Sequence, residues 1–198
     1  MGLPIHLQFL VLQYLDDSQQ IKCMQVCRDW FYEIARDSKR YPYRYNIIYN
    51  IVTHNLAPIV LDWYIDSDLC LYTISCFSDD TDDILTKDEI IYKLIPYIQD
   101  VSSAYNRADI LDWLYSNTID KSRFIDRSAQ FAINMANCNQ SIQAIKWWMN
   151  VYKMNDIIIP VSVHYNISKS TRKKYPQVVE LWKQYYRENG ITMKRSKL

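Results

Sequence analysis

The sequence contains very little glycine, with only Gly2 and Gly190 among 198 residues. Tight β-hairpin turns and phosphate-binding loops need backbone at positive φ, which glycine adopts without strain. A protein built from hairpins and an enzyme with a glycine-rich nucleotide loop are therefore both disfavoured. A chain of this length is long enough for one or two compact domains, which we expect to be helical.

Disulfide, membrane and secretion signals are also missing from the sequence. The five cysteines form no CxxC pair, and their number is odd. The N-terminus shows no charged-then-apolar leader, and no apolar run reaches the roughly 18–20 residues of a membrane span. We therefore expect an intracellular, cytoplasmic chain with reduced thiols and no membrane partner.

A constellation of catalytic residues is absent as well. The three histidines, His6, His54 and His164, are scattered without a second ligand at metal-binding spacing. Cys70 and Cys76 have no basic neighbour that would lower a thiol pKa. The sequence therefore predicts no enzyme, no cofactor and no metal site.

Charge is nearly balanced overall, with a formal net charge of +1, but it is unevenly distributed. Residues 62–89 are acidic and residues 169–198 are basic. Because the basic and aromatic residues are not interleaved on one element, nucleic-acid binding is disfavoured. We interpret the acidic stretch as an inserted loop and the basic end as a tail.

The N-terminal segment carries more apolar surface than it can bury by itself. Pro4 favours a helix start, and the helix to Leu15 is apolar around most of its circumference. The break at residues 16–18 precedes a predicted short helix over 19–25 and another over 26–35. The remaining apolar face must contact either the rest of the chain or another protein.

The order of residues in this segment resembles the F-box motif. Leu3-Pro4, the apolar helix ending at Leu15, Ile21, and Val26-Cys27-Arg28-Asp29-Trp30 follow the family's spacing, although Gln19-Gln20 occupy sites where members often carry leucine. The resemblance implies a three-helix unit that binds a Skp1-type linker of a cullin–RING ubiquitin ligase. The docking face and its supporting core would comprise Leu3, Pro4, Leu7, Leu10, Leu15, Ile21, Val26, Cys27 and Trp30.

A second pattern recurs along the rest of the chain, in which an apolar residue and a charged residue precede a large apolar pair. The first two copies are about 50 residues apart, and later copies are about 34 residues apart, a spacing that we call the repeat interval. Such a period predicts stacked helix pairs in which each copy lies on the second helix. The copies are Leu61-Asp62-Trp63-Tyr64, Leu111-Asp112-Trp113-Leu114, Ile145-Lys146-Trp147-Trp148 and Val179-Glu180-Leu181-Trp182.

The leading helix of each pair precedes its copy of the pattern. Pro58 and Pro176 fall where second helices begin, a position that tolerates proline. Pro96 falls inside a leading helix and predicts a kink or break there. The predicted leading helices are Tyr45–His54, Glu89–Ser102, Ile125–Ala136 and Ser162–Lys173.

The phrase from Ala136 to Trp148 is similar to ankyrin repeats found in amoebae and large DNA viruses. The resemblance implies an all-α fold in which an F-box-like unit precedes a short, degenerate ankyrin-like solenoid; another helical solenoid is the alternative. We predict an F-box-like domain at residues 1–40, repeats at 41–190 with an acidic insertion at about 66–88, and a basic tail at 191–198.

Tryptophans and tyrosines of the repeats are candidates for contact with a target protein. Trp63, Trp113, Trp147 and Trp182 are assigned to one repeat position, which favours packing between helices. Trp148 points about 100° away from Trp147 on a helix, so one of the two indoles is expected to be exposed, where it would serve recognition. Trp148, Tyr64 and Tyr115 are the predicted target-binding residues.

Two functions from different classes remain open. In the first, the chain is a non-catalytic adaptor, viral or cellular, that brings an unknown target to the ligase. In the second, it is a structural or scaffolding protein whose N-terminal helices cap the repeats. The C-terminal Ser196-Lys197-Leu198 matches a peroxisomal address and leaves that location as a minor alternative.

Overall fold

All regular secondary structure in the described part of the chain is helical. The computed structural model describes residue 15 and residues 17–26, 46–67, 86–125, 127–160 and 175–191. The helices are α1 Asp17–Cys23, α2 Asn46–Thr53, α3 Ile59–Ile65, α4 Lys87–Ala104, α5 Ala108–Asn117, α6 Lys121–Phe124, α7 Arg127–Asn139, α8 Ile142–Met154 and α9 Pro176–Glu188.

The chain divides into two units, Met1–Leu94 and Ile95–Leu198, and the division falls inside α4. The predicted domain boundary after residue 40 lies outside the described residues and stays a prediction. Most of the acidic insertion and all but Ile191 of the basic tail also lie outside them.

In the first unit, α2 and α3 form a helix pair with an apolar interior. Their buried side chains alternate with exposed ones at helical spacing, so each helix turns one stripe inward. Asn55, with φ of 57°, reverses the chain between them, and Pro58 is the N-cap of α3. The buried residues of the pair are Ile47, Ile48, Ile51, Val52, Leu56, Val60, Leu61, Tyr64 and Ile65.

Lys87, at the start of α4, forms ion pairs with two aspartates at α3, Asp62 and Asp66. Its Nζ lies 3.7 Å from Asp62 Oδ1 and 3.2 Å from Asp66 Oδ1. All three side chains are at least partly exposed, so each pair contributes little to stability. Burial of the apolar stripe therefore dominates the energetics of this unit.

Helix α4 continues through Pro96, so of the predicted kink or break the break does not occur. Proline inside a helix removes one backbone hydrogen bond and costs about 3 kcal/mol. Ile95 and Ile98, on either side of it, are buried. Burial of an isoleucine side chain contributes about 1.5–3 kcal/mol, so the two together outweigh the proline penalty.

In the second unit, the turns inside two successive helix pairs have the same backbone geometry. Asn106 joins α4 to α5 and Gln140 joins α7 to α8, with φ of 60° and 59°. In both turns the next N–H donates to the carbonyl five residues earlier, at 2.9 Å. The two turns are separated by the repeat interval of the sequence pattern.

The ends of α8 and α9 are separated by the same interval. Asp156 and Gly190 have φ of 54° and 69°. The Asn155 and Asn189 side chains each donate to the carbonyl four residues earlier, at 2.7 Å. The repeat interval is therefore present in backbone geometry as well as in sequence.

Three of the four predicted leading helices are confirmed, because α2, α4 and α7 coincide with them to within three residues at either end. The fourth, Ser162–Lys173, lies outside the described residues. The predicted positions of Pro58 and Pro176 at the starts of second helices are also confirmed.

Candidate docking site

The described part of the N-terminal segment shows how a polar residue fits a position that resembles a leucine site. Gln20 lies on α1 and is buried, and its side-chain amide donates to Leu15 O at 3.3 Å. A buried amide without a partner would be costly, and this bond removes part of that cost. The departure from the F-box pattern at Gln20 is therefore accommodated locally.

The predicted docking residues fall into different environments. Ile21 is buried, Leu15 is half-buried and Val26 is exposed over 62% of its surface. Ile21 thus belongs to the supporting core, whereas Val26 has surface that a partner could cover. The other six, Leu3, Pro4, Leu7, Leu10, Cys27 and Trp30, lie outside the described residues.

In the second unit, a buried tryptophan joins α8 to the leading helix α4, and another joins α9 to the leading helix α7. Trp148 Nε1 donates to Ser103 Oγ at 2.9 Å, and Trp182 Nε1 donates to Asn137 Oδ1 at 2.7 Å. Both the donors and the acceptors are separated by the repeat interval, so the two bonds are equivalent. Helices α8 and α9 are therefore bonded to α4 and α7 in the same register, and both buried indole N–H groups are paired.

Equivalence of these bonds corrects the repeat position of Trp182. The sequence pattern groups Trp182 with Trp147, but the hydrogen bond of Trp182 is equivalent to that of Trp148. The first residue of the large apolar pair is half-buried in every copy, and the second is buried. The buried set is Tyr64, Leu114, Trp148 and Trp182, and the half-buried set is Trp63, Trp113, Trp147 and Leu181.

Burial also corrects two of the predicted target-binding residues. Trp148 and Tyr64 have no exposed surface, so neither is placed to touch a target. Of the adjacent tryptophans it is Trp147 that retains surface, and its Nε1 donates to Asp112 Oδ1 at 3.3 Å. The prediction took the wrong member of the pair because stacking on the preceding helix pair, rather than helix geometry alone, decides which indole is covered.

Tyr115, the third predicted target-binding residue, is half-buried and held from two sides. Its hydroxyl accepts from Asn155 Nδ2 at 3.0 Å. Lys121 Nζ lies 4.4 Å from the centre of its ring and donates to the Tyr115 and Thr118 carbonyls at the end of α5. Burial lowers the pKa of Lys121. Tyr115 is therefore a rigid aromatic with some exposed surface, and it stays a candidate.

The leading helices of the second unit carry a surface that the sequence pattern of the second helices does not reveal. Tyr97 on α4 and Phe131 on α7 are exposed over 37% and 57% of their surfaces. They are separated by the repeat interval, and half-buried Asp100 and Asn134 each follow three residues later. Extension of the repeat comparison from the second helices to the leading helices would have identified these four residues.

The thiol of Cys23 is half-buried on α1. Burial raises the pKa of the Cys23 thiol, which disfavours the nucleophilic thiolate. The described residues contain no group of three or more histidine, cysteine or acidic side chains arranged to hold a metal. Within the same residues, no helix has the length and apolar content needed to cross a bilayer.

Comparison with known families identifies the N-terminal segment. An F-box domain model matches residues 1–40 of the 198. F-box domains typically bind Skp1 in SCF ubiquitin ligases, so the match suggests a role in substrate recognition for such a ligase. Neither a curated protein nor a solved structure matches the chain.

Proposed function

We propose that the chain is a non-catalytic substrate-receptor adaptor. Its N-terminal segment binds a Skp1-type linker protein, and its helix pairs capture a target for the cullin–RING ubiquitin ligase. The observation that carries the proposal is the F-box match at residues 1–40, preceding a unit whose helix pairs stack at the repeat interval. The adaptor supplies proximity by raising the effective concentration of the target near the ligase.

The helix pairs are, in this proposal, degenerate ankyrin-like repeats. Support comes from the interval itself, from two helices in each pair, and from indole hydrogen bonds that recur between pairs. In such arrays each pair contacts its neighbours and offers a continuous surface for a partner. A viral or amoebal origin, with a target in a host, rests only on the resemblance of residues 136–148.

Co-purification with a eukaryotic Skp1 tests the adaptor function. The full chain is co-expressed with Skp1, and we expect the two to elute together at a fixed ratio. Leu3→Ala/Pro4→Ala and Trp30→Ala should abolish co-elution, because these residues belong to the proposed docking face and its core. Met154→Ala, at a side chain 66% exposed in the second unit, is the matched control and should retain Skp1.

The alternative is a scaffolding protein whose N-terminal helices cap the repeats. The apolar N-terminal sequence, which predicts a helix from Pro4 to Leu15, favours it, since terminal repeats need a cover. Size-exclusion chromatography separates the two proposals. If the chain is monodisperse and does not bind Skp1, the capped-scaffold proposal is supported. If the chain aggregates alone and becomes monodisperse with Skp1, the adaptor proposal is supported.

A further inference from the structure

The exposed side of the two leading helices carries the same pair of groups twice. On α4 the aromatic Tyr97 is followed three residues later by Asp100, and on α7 Phe131 is followed by Asn134. Residues three apart on a helix lie side by side on one face. Each helix therefore places an exposed aromatic ring beside an oxygen acceptor.

Both acceptor oxygens are buried and unpaired. Asp100 Oδ1 and Asn134 Oδ1 are out of contact with solvent and have no hydrogen-bond partner within the described part of the chain. Burial also raises the pKa of Asp100 to about 6. A buried acceptor without a hydrogen bond is costly in free energy. The same cost occurs at equivalent positions of α4 and α7. The missing partner is a hydrogen-bond donor.

We propose that the leading-helix face, defined by Tyr97, Asp100, Phe131 and Asn134, docks an arginine-bearing segment of the target protein. This inference rests on the adaptor function proposed above, and it names the chemistry of the target. A guanidinium stacks on an aromatic ring while it donates to a neighbouring carboxylate or amide oxygen. Each aromatic–acceptor pair on this face has the groups that one arginine requires. Because both oxygens are covered in the free chain, binding includes a rotation of these half-buried side chains toward the guanidinium.

Other target chemistries fit this face less well. An acidic segment would meet the Asp100 carboxylate, and like charges in a desolvated contact are unfavourable. A purely apolar segment would cover the rings but leave both acceptors unpaired. Lysine supplies charge without the planar fork that stacks and donates together. Arginine is therefore preferred over lysine, and both over neutral residues.

Selection from a random dodecapeptide library displayed on phage, panned against the full chain, tests the proposal. We expect enriched peptides to contain arginine next to an aromatic or aliphatic residue. A fluorescein-labelled selected peptide then gives affinities by anisotropy. Arg→Gln in the peptide should weaken binding about tenfold, and Arg→Lys by less, because a charge-assisted bond to a buried acceptor is lost or weakened.

Variants of the chain locate the bound peptide. Asp100→Asn keeps the acceptor oxygen but removes its charge, so affinity should fall about fivefold and depend less on salt. Phe131→Ala should also weaken binding by removal of a stacking surface. Asp156→Asn and Ile119→Ala, at exposed positions of the same unit, are matched controls with unchanged affinity. Circular dichroism and thermal melting of each variant show whether the fold is retained.

The outcomes separate this inference from the proposed function. Enriched peptides without arginine, an absence of enrichment, or equal affinity for wild type and Asp100→Asn would overturn the arginine-docking face. Skp1 co-purification measured on the same variants should be unaffected. If the chain binds arginine-containing peptides selectively but does not bind Skp1, the adaptor function is overturned and the arginine-docking face is supported.

Discussion

Asp100 is a carboxylic acid at a position that the next helix pair fills with an amide, Asn134. Burial raises the pKa of Asp100 from 3.8 to about 6. The folded chain therefore holds a proton that the unfolded chain releases between these values. By linkage, the native state loses stability as pH rises from about 4 to about 6 and does not regain it above that range.

Asp100→Asn should remove this penalty because an amide does not ionise. We expect the free energy of unfolding to rise by about 1 kcal/mol above pH 7, after allowance for solvent screening of a half-buried group. Below about pH 4 the gain should vanish. Urea denaturation across this pH range measures it. Asp156→Asn is the control and should show no such pH dependence. A gain in the stability of Asp100→Asn that did not vary with pH would contradict ionisation of a buried carboxyl as its cause.

Asn137 tests the stacking bond between pairs. Asn137→Ala leaves the buried Trp182 N–H without the acceptor seen at 2.7 Å, so unfolding should become easier by about 1–3 kcal/mol. Cys138→Ala, at the next and exposed residue of α7, should change stability little. Chemical denaturation followed by tryptophan fluorescence makes the comparison. Equal stabilities of the two variants would show that the bond contributes nothing.

At the scale of elements, the side chain of Asn106, in the turn between α4 and α5, bonds to the first turn of α8 in the next helix pair. Ser141, the N-cap of α8, makes no side-chain cap bond there. Instead Asn106 Oδ1 accepts from the Gln143 and Ala144 N–H groups at 2.8 and 3.1 Å, and Ser141 Oγ donates to Ala104 O at 2.8 Å. The first turn of α8 is thus capped by the preceding pair, which links helix formation to stacking.

A glycine substitution at each of two turns separates capping from backbone strain. Asn106→Gly keeps the positive φ but removes the cap, so we expect a loss of about 1 kcal/mol. Gln140→Gly relieves the left-handed backbone of a residue at φ 59° and should stabilise the chain by about 1 kcal/mol. Differential scanning calorimetry of both variants provides the test. If Asn106→Gly and Gln140→Gly both stabilise the chain, the Asn106 cap contributes nothing to the free energy of unfolding.

The sequence was sufficient to predict the second helices and three leading helices, because apolar spacing and proline positions are local signals. It predicted a leading helix, Glu89–Ser102, that spans Pro96, but also a kink or break at that proline. The helix is unbroken because burial of Ile95 and Ile98 is a tertiary effect that the local signal does not contain. It also selected Trp148, the buried indole of the two, as a target-binding residue. Which indole is buried depends on Ser103 in the preceding pair, which is distant in sequence.

For the whole molecule, the proposals place partner binding at residues 1–40 and target binding on the second unit. An adaptor needs both ends in one chain but needs no chemistry between them. The formal net charge of +1 gives no global field that would favour one class of partner. Substitutions in residues 1–40 can therefore be tested for their effect on target binding, and substitutions in the second unit for their effect on Skp1 binding.

Thermal unfolding with and without Skp1 distinguishes an adaptor from a capped scaffold. A partner that binds only the native state stabilises it by mass action, by about 2.7 kcal/mol at a hundredfold excess over the dissociation constant. We therefore expect Skp1 to raise the melting temperature of the wild-type chain. Trp30→Ala should abolish that rise, and Met154→Ala should preserve it.

The cap proposal predicts the opposite pattern in the same experiment. If the N-terminal helices cover the repeats, Trp30→Ala removes a buried aromatic and lowers the melting temperature of the chain alone by the equivalent of about 3–5 kcal/mol. Skp1 would then leave both melting temperatures unchanged. An adaptor instead presents its docking surface to the partner, so the larger effect of Trp30→Ala should be the loss of the Skp1-dependent rise.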